Sequence, residues 1–178
     1  MNSITSQELQ KKYAGLTERL EVPAKTILLR EGRVAMHTWY LEKGCARIWF
    51  NNGGKDITLN FFLEGDGVSS IESFRNGTPS AFNLETLEPC VIYKISKENF
   101  NFMLEDSEAF RKRIEETAFQ TLFLYQRLFL SRIKDSPEER YKELLIKRPE
   151  LLQRIPQHYI ASYLGITAVS LSRIRNKR

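Results

Sequence analysis

Residues 24–95 alternate between hydrophobic and polar positions with a period near two. The β-prone stretches are TILLREG, TWYLEKG, ARIWF, DITLNFFLEG and FNLETLEPCVIYKI, and turns rich in glycine and asparagine separate them. Successive side chains of a strand point to opposite faces, so this alternation is typical of strands with one buried face. The pattern predicts an antiparallel jelly-roll β-domain, with short flanking helices, over residues 1–106 of an α+β protein.

The hydrophobic period becomes helical at Ser96, whose hydroxyl can cap a short helix through Leu104. A much longer helix is predicted between about Glu108 and Lys134, within a dimerisation segment of residues 107–135. Its apolar positions form two neighbouring stripes: Ile114, Ala118, Leu122, Tyr125 and Phe129 in the first, and Phe119, Phe123 and Leu130 in the second. One stripe can cover the β-domain while the other pairs with a second copy of the chain. The alternative is that both stripes are buried within one chain.

A third segment, residues 136–178, begins with the sequence Ser-Pro-Glu-Glu. This sequence combines a hydroxyl cap, a proline at the first helical position and a glutamate at the capping-box position. We therefore predict a domain boundary here, followed by about three helices. The first runs to about Lys147, the second opens at Pro156, and the third begins at Thr167.

The last two helices have the apolar spacing of a helix-turn-helix. The positions concerned lie on both sides of Gly165 and are Ile160, Leu164, Ile166, Leu171 and Ile174. Gly165 suits a turn that needs a positive φ, and Ala161 is small enough for two helices to cross closely. Thr167 can cap the second helix, which in such a motif enters the major groove of DNA.

We expect contacts with double-stranded DNA from both helices of this motif. Arg173 is the expected base reader, because arginine can make two hydrogen bonds to guanine. The other residues of the recognition face are Thr167, Ala168, Val169, Ser170, Ser172 and Lys177. Phosphate contacts, which position the protein without selecting a sequence, are expected from Gln157, His158, Ser162, Arg175 and Arg178.

The charge distribution agrees with this placement. Residues 1–133 contain 17 Lys and Arg against 17 Asp and Glu, whereas residues 134–178 contain 10 against 5. From Leu151 onward there are five basic residues and no carboxylate. Such a segment suits a nucleic-acid contact surface, although charge alone would equally suit a solvated basic tail.

The composition argues against enzymatic chemistry. Cys45 and Cys90 are the only cysteines and lie far apart in strand-like stretches, so we expect buried free thiols rather than a metal or iron–sulfur site. The chain shows no Ser/His/Asp set, metal-ligand cluster or phosphate-binding glycine loop, so no catalytic residue, metal or cofactor is expected. No apolar stretch approaches the roughly 18 residues of a membrane span, and the N-terminus lacks an apolar signal region. We therefore expect a cytoplasmic protein without membrane contact.

The order of these blocks resembles the Crp/Fnr family of bacterial transcription regulators over nearly the whole chain. WYLEKGCARIWF followed by GKDITLNFFLEGDGV is similar to the family's strand, glycine turn, strand and Gly-Asp sequence. LLQRIPQHYIASYLGIT and VSLSRIR resemble the short members found in Bacteroidetes. The resemblance implies a cyclic-nucleotide-binding-like sensor domain, and a homodimer that binds a palindromic operator. It leaves open a contact with RNA polymerase.

The resemblance also implies an effector pocket, and there the sequence departs from the members that bind cyclic AMP. Those members use a Gly-Glu pair for the ribose and an Arg-Ser pair for the phosphate, and the matching positions here are Ser69-Ser70 and Pro79-Ser80. Without the charged partners, cyclic AMP is not the expected effector. A pocket for another small molecule would be lined by Ser69, Ser70, Glu72, Ser80, Tyr125 and Gln126. The alternative is a vestigial pocket filled by side chains.

The DNA end departs from the family as well. Ala168-Val169 replaces an Arg-Glu pair early in the recognition helix, so the operator should differ from the usual one, and we do not expect the β-wing that many relatives have after this helix. The function expected from the sequence is sequence-specific transcription regulation with an unknown effector. The alternative is a small-molecule-sensing or signalling module that uses its helical C-terminus for protein contacts.

Overall fold

The computed structural model describes residues 11–176 and divides them into two compact units. The first unit runs up to Lys55 and continues over Leu59–Ser107. The second contains Glu108 and the residues after it, together with the short segment Asp56–Thr58.

The first unit is built from two four-stranded antiparallel sheets. Its strands are β1 (Glu18–Val22), β2 (Ile27–Leu29), β3 (His37–Lys43), β4 (Ala46–Asn52), β5 (Lys55–Phe62), β6 (Gly67–Val68), β7 (Asn83–Thr86) and β8 (Cys90–Ser96). One sheet has the order β1-β8-β3-β6 and the other the order β2-β7-β4-β5. The α+β class and the β-roll predicted from the alternating pattern are confirmed.

The core of this unit consists of the inward-facing residues of both sheets. Leu41 and Leu84 are fully buried, and Trp39, Ile48 and Ile92 pack with them. Each such side chain contributes about 1.5–3 kcal/mol when it leaves water. Cys45 and Cys90 are buried free thiols, as predicted.

Two helices complete the described part of the first unit. Helix α1 (Ile71–Asn76) ends at Gly77, whose φ of 72° is left-handed. The sequence did not predict α1, because six residues are too few to show a helical period. Helix α2 (Lys97–Asp106) begins where Ser96 Oγ accepts the Asn99 N–H at 3.1 Å, which confirms the predicted cap.

The second unit is helical. Its elements are α3 (Glu108–Lys134), α4 (Pro137–Lys147), α5 (Pro149–Arg154), α6 (Gln157–Leu164) and α7 (Ala168–Asn176). The predicted capping box at the start of α4 is present, since Ser136 Oγ accepts from Glu139 N and Glu139 Oε2 accepts from Ser136 N. Helix α5 is a fourth element where about three were expected, because Pro149 starts a new short helix directly after α4.

A small core holds the last four helices together. Leu151, Ile160 and Leu171 are each at most 1% exposed, and Leu144 and Ile155 are also buried. These residues come from α4, α5, α6, α7 and the link before α6. The apolar positions that suggested a helix-turn-helix therefore support a packed helical domain.

Candidate nucleic-acid interface

The turn between α6 and α7 depends on Gly165. Its φ is 71°, a left-handed value that glycine adopts without a side-chain clash. The Gly165 N–H donates to the Ser162 carbonyl, and the Ile166 N–H donates to the Ala161 carbonyl, both at 3.0 Å. This pair of bonds is a Schellman motif, which ends α6 and turns the chain into α7. The positive φ expected at Gly165 is confirmed.

The first turn of α7 is capped by Thr167. Its Oγ1 accepts the Ser170 N–H at 3.1 Å and lies 3.0 Å from Ser170 Oγ. Leu171 is buried, whereas Val169 is 61% exposed. Of the remaining predicted face, Ala168, Ser172 and Arg173 are exposed and Ser170 is half-buried. The helix thus buries one side and leaves its polar, basic side open to solvent.

A polar concavity of about 480 Å³ lies on this exposed surface. It is lined by Gln157 from the start of α6 and by Ser172, Arg175 and Asn176 from α7. Three of these four were predicted contact residues, so the tertiary structure brings the start of one helix next to the end of the other. Asn176 was missed, although its position four residues after Ser172 places it on the same helix face.

The other predicted contact residues lie in different surroundings. His158 is exposed, and its ring centroid is 3.9 Å from that of Tyr159. Ser162 Oγ donates to the Asp56 carbonyl at 2.8 Å and accepts the Thr58 N–H at 2.9 Å. Lys177 and Arg178 lie outside the described residues.

Helix α3 exposes its apolar stripes. Phe129 is 66% and Leu122 is 59% exposed, while Phe119 and Phe123 stack with their ring centroids 6.4 Å apart. Of the remaining first-stripe residues, Tyr125 and Ala118 are exposed and Ile114 is half-buried. Within the second unit, most of the residues of both stripes are therefore left exposed.

The residues of the expected effector pocket are divided between the two units. In the first unit, Ser70 and Ser80 are buried, and their Oγ atoms are 2.9 Å apart. Ser80 Oγ also lies 2.8 Å from the Phe82 carbonyl and accepts the Phe82 N–H at 3.1 Å. Ser69 Oγ is buried without a hydrogen-bond partner among the described residues, and Glu72 is exposed at the start of α1.

Tyr125 and Gln126 belong to α3 in the second unit, where Gln126 is exposed and Tyr125 is 39% exposed. Partial burial, and then the neighbouring Tyr163, raise the pKa of the Tyr125 hydroxyl above its ordinary value. This hydroxyl is therefore uncharged at neutral pH and can donate a hydrogen bond.

Two other kinds of feature are absent from residues 11–176. No group of three or more His, Cys, Asp or Glu side chains there is placed to hold a metal ion. None of the described helices combines the length and apolar character needed to cross a membrane.

The cyclic nucleotide-binding domain profile matches residues 19–107, half of the chain. The chain therefore belongs to the cyclic nucleotide-binding domain family. No curated protein matches it by sequence.

Solved structures extend the likeness beyond this domain. The c-di-GMP responsive global regulator CLP of Xanthomonas campestris is 19% identical with a TM-score of 0.78, covering 97% of this chain and 91% of its own. A CooA mutant from Carboxydothermus hydrogenoformans is 18% identical with a TM-score of 0.77, covering 99% and 84%. FixK2 from Bradyrhizobium japonicum is 14% identical with a TM-score of 0.76, covering 90% and 83%. At these identities the likeness establishes the fold, and the expected Crp/Fnr architecture is confirmed.

Proposed function

We propose that this chain is a sequence-specific, DNA-binding transcription regulator of Crp/Fnr type. The observation that carries the proposal is the exposed face of α7, which presents Arg173 while the opposite side is packed through Leu171. A helix supported in this way can enter the major groove without losing its own core. The fold shared with three regulators supports the same conclusion.

The residues of the interface have different roles in this proposal. Arg173 reads guanine through two hydrogen bonds, and the exposed Val169 contacts a thymine methyl group. Gln157 and Arg175, which share the polar concavity, bind backbone phosphate and position the helix. The exposed His158 and the basic residue Arg178 add further phosphate contacts, whereas the hydroxyl of Ser162, expected to do the same, is already bonded to the backbone of Asp56 and Thr58. The operator sequence is therefore specified by Arg173 together with the uncharged residues Ala168, Val169 and Ser170 at the start of α7.

The proposed regulator is a homodimer. Helix α3 leaves Leu122, Phe129 and Ile133 more than half exposed, and a second copy can cover these side chains with the same face by two-fold symmetry. Two recognition helices related by that axis require two half-sites, and hence a palindromic operator. Placement in the cytoplasm, where the DNA of a bacterium lies, is part of the proposal.

Cyclic AMP is not the effector in this proposal. The position assigned to a phosphate-binding arginine is Pro79, and the neighbouring Ser80 hydroxyl is engaged with Ser70 and the Phe82 backbone. An anionic phosphate would have to displace these bonds without gaining a charged partner. The structurally similar regulator CLP is c-di-GMP responsive, which makes cyclic dinucleotides the first compounds to test here.

The exposure of Val169 also favours a second candidate, a signalling module that binds a protein partner through α7. An apolar side chain 61% exposed at the start of the helix suits a protein contact as well as a thymine methyl group. A null result with DNA, together with calorimetric binding of a small molecule, would favour this candidate.

Selection from random-sequence duplex DNA, followed by mobility shift over a salt series, tests the proposed function. We expect a palindromic consensus, and an Arg173→Ala variant that binds it about ten- to a hundredfold more weakly, because one bidentate base contact is lost. The control is Arg33→Ala, which removes an exposed arginine from the first unit. The proposal fails if no consensus emerges, or if both variants bind like the unmodified protein.

A further inference from the structure

Two arginines from other helices donate hydrogen bonds to backbone carbonyls at the C-terminal end of α6. The Ala161 and Ser162 carbonyls are bonded within the turn, which leaves the carbonyls of Tyr163 and Leu164 to other donors. Arg132 Nη2, in the last turn of α3, donates to the Tyr163 carbonyl. Arg140 Nε, in α4, donates to the Leu164 carbonyl at 3.1 Å.

The charges favour this arrangement electrostatically. The carbonyl end of a helix carries partial negative charge, so guanidinium groups are stabilised there. Among the described residues, neither Arg132 nor Arg140 forms an ion pair with a carboxylate. Both groups therefore use their charge on backbone carbonyls.

Gly165 makes room for the Arg132 guanidinium. A Cβ atom at position 165 would collide with Arg132 Nη1. The absence of a side chain thus serves two purposes, since it permits the left-handed φ and lets the guanidinium lie against the turn of the helix-turn-helix.

The backbone of α3 lies apart from the helices that follow it along most of its length. Among the described residues, the backbones of α4 to α7 approach one another, whereas the backbone of α3 comes close to them at few positions. Arg140 Nη1 also donates to the Asp135 carbonyl at 2.6 Å, which fixes the two-residue link between α3 and α4. The guanidinium of Arg132 is therefore a side-chain connection from the long helix to the end of α6.

We propose that Arg132 is a positioning residue, whose bond to the end of α6 sets the direction of α7 relative to the long helix. This inference rests on the proposed function, because the direction of α7 determines whether two recognition helices fit two half-sites. In this inference, Arg132 transmits any movement of α3 to the DNA-binding motif.

The test uses Arg132→Ala in the full chain, with Lys134→Ala as the matched control. Lys134 lies in the same helical turn and carries the same charge, so the control removes a cation without breaking the bond to α6. We expect Arg132→Ala to bind the palindrome about tenfold more weakly, the equivalent of one hydrogen bond to a charged group. It should also lose its preference for one half-site spacing, while a single half-site is bound as before.

A second measurement is independent of DNA. Spin labels on Arg127→Cys and Val169→Cys, diluted into unlabelled protein, report the distance from α3 to α7. Both positions are exposed, whereas the native cysteines are buried and burial raises the pKa of Cys90. We expect a narrow distance distribution in the parent and in Lys134→Ala, and a broader or shifted one in Arg132→Ala.

The two measurements distinguish a failure of the positioning role from a failure of the proposed function. An unchanged distance distribution in Arg132→Ala, or an equal change in Lys134→Ala, overturns the positioning role. If the parent protein binds no DNA, the proposed function fails, and the distance distributions still decide the role of Arg132. Should Arg132→Ala not fold, Arg132→Lys keeps the charge and one donor, and it should give an intermediate spacing preference and distance distribution.

Discussion

The β-roll contains a buried ion pair between Arg47 and Glu85. Arg47 of β4 is 1% exposed, and its Nε and Nη2 atoms lie 2.9 and 2.7 Å from Glu85 Oε2 on β7. The guanidinium carbon also lies 4.6 Å from the centroid of the Trp49 ring. A pair of this kind is costly to break, because the partner left behind is a desolvated charge.

We expect Arg47→Met to lower the free energy of unfolding by about 3–5 kcal/mol, since Glu85 stays buried without its partner. The double variant Arg47→Met, Glu85→Leu removes both charges and should recover most of this loss. Urea unfolding monitored by tryptophan fluorescence measures both changes. A double variant no more stable than the single one would show that the pair is not the cause.

Individual helices begin and end at positions that local chemistry specifies. At the start of α4, Ser136 Oγ accepts the Glu139 N–H at 3.3 Å, and Glu139 Oε2 accepts the Ser136 N–H at 2.7 Å. Pro137 occupies the first helical turn, where no intrahelical donor is needed. This cap begins the helix that carries Arg140, and so it also affects the end of α6.

Ser136→Ala should lower the free energy of unfolding by about 1 kcal/mol, because it removes a hydroxyl cap. Urea unfolding followed by far-ultraviolet circular dichroism measures this. The control Ser172→Ala changes an exposed serine inside α7 and should have little effect, since alanine favours helices. Equal losses in the two variants would contradict the capping role.

The same cap predicts a pH dependence. The hydrogen bonds from Ser136 lower the pKa of Glu139 below its ordinary value. The carboxylate therefore contributes stability above the pKa of glutamate in the unfolded chain, and this contribution is lost as the pH falls through the folded pKa. A Glu139→Gln variant should lose less stability on acidification than the parent, as measured by unfolding at neutral and acidic pH. Parallel losses would exclude this role.

At the scale of the whole molecule, the proposed DNA recognition depends on the proposed dimer. Phe129 and Ile133 are 66% and 67% exposed on α3, and Leu122 is 59% exposed. Burying a leucine of this kind contributes about 1.5–3 kcal/mol. In the proposed regulator, this one helix surface therefore links dimerisation to operator geometry.

Leu122→Lys should raise the dissociation constant of the proposed dimer by at least about tenfold, because it places a charge on an apolar surface that the dimer would bury in each copy. Sedimentation velocity over a concentration series measures this. Gln120→Lys adds the same charge to the same helix at an exposed polar position and should leave the dimer intact. A Leu122→Lys protein that remains dimeric would place the interface elsewhere.

The sequence by itself determined the features that depend on a few neighbouring residues. Ser96, Ser136 and Thr167 cap their helices as expected, and Gly165 adopts the expected positive φ, because caps and turns are matters of local backbone hydrogen bonding. The alternating pattern likewise predicted the β-roll, since the period of the apolar positions is set by strand geometry.

Only the tertiary structure decided which distant residues meet. The Ser70–Ser80 bond, the Arg47–Glu85 pair and the Arg132 contact with Tyr163 each join separate elements. No local preference encodes these pairings, because they depend on how sheets and helices pack and on which backbone groups that packing leaves without a partner. The apolar spacing of the two C-terminal helices was therefore readable in the sequence, whereas the contact of Arg132 with the end of α6 was not.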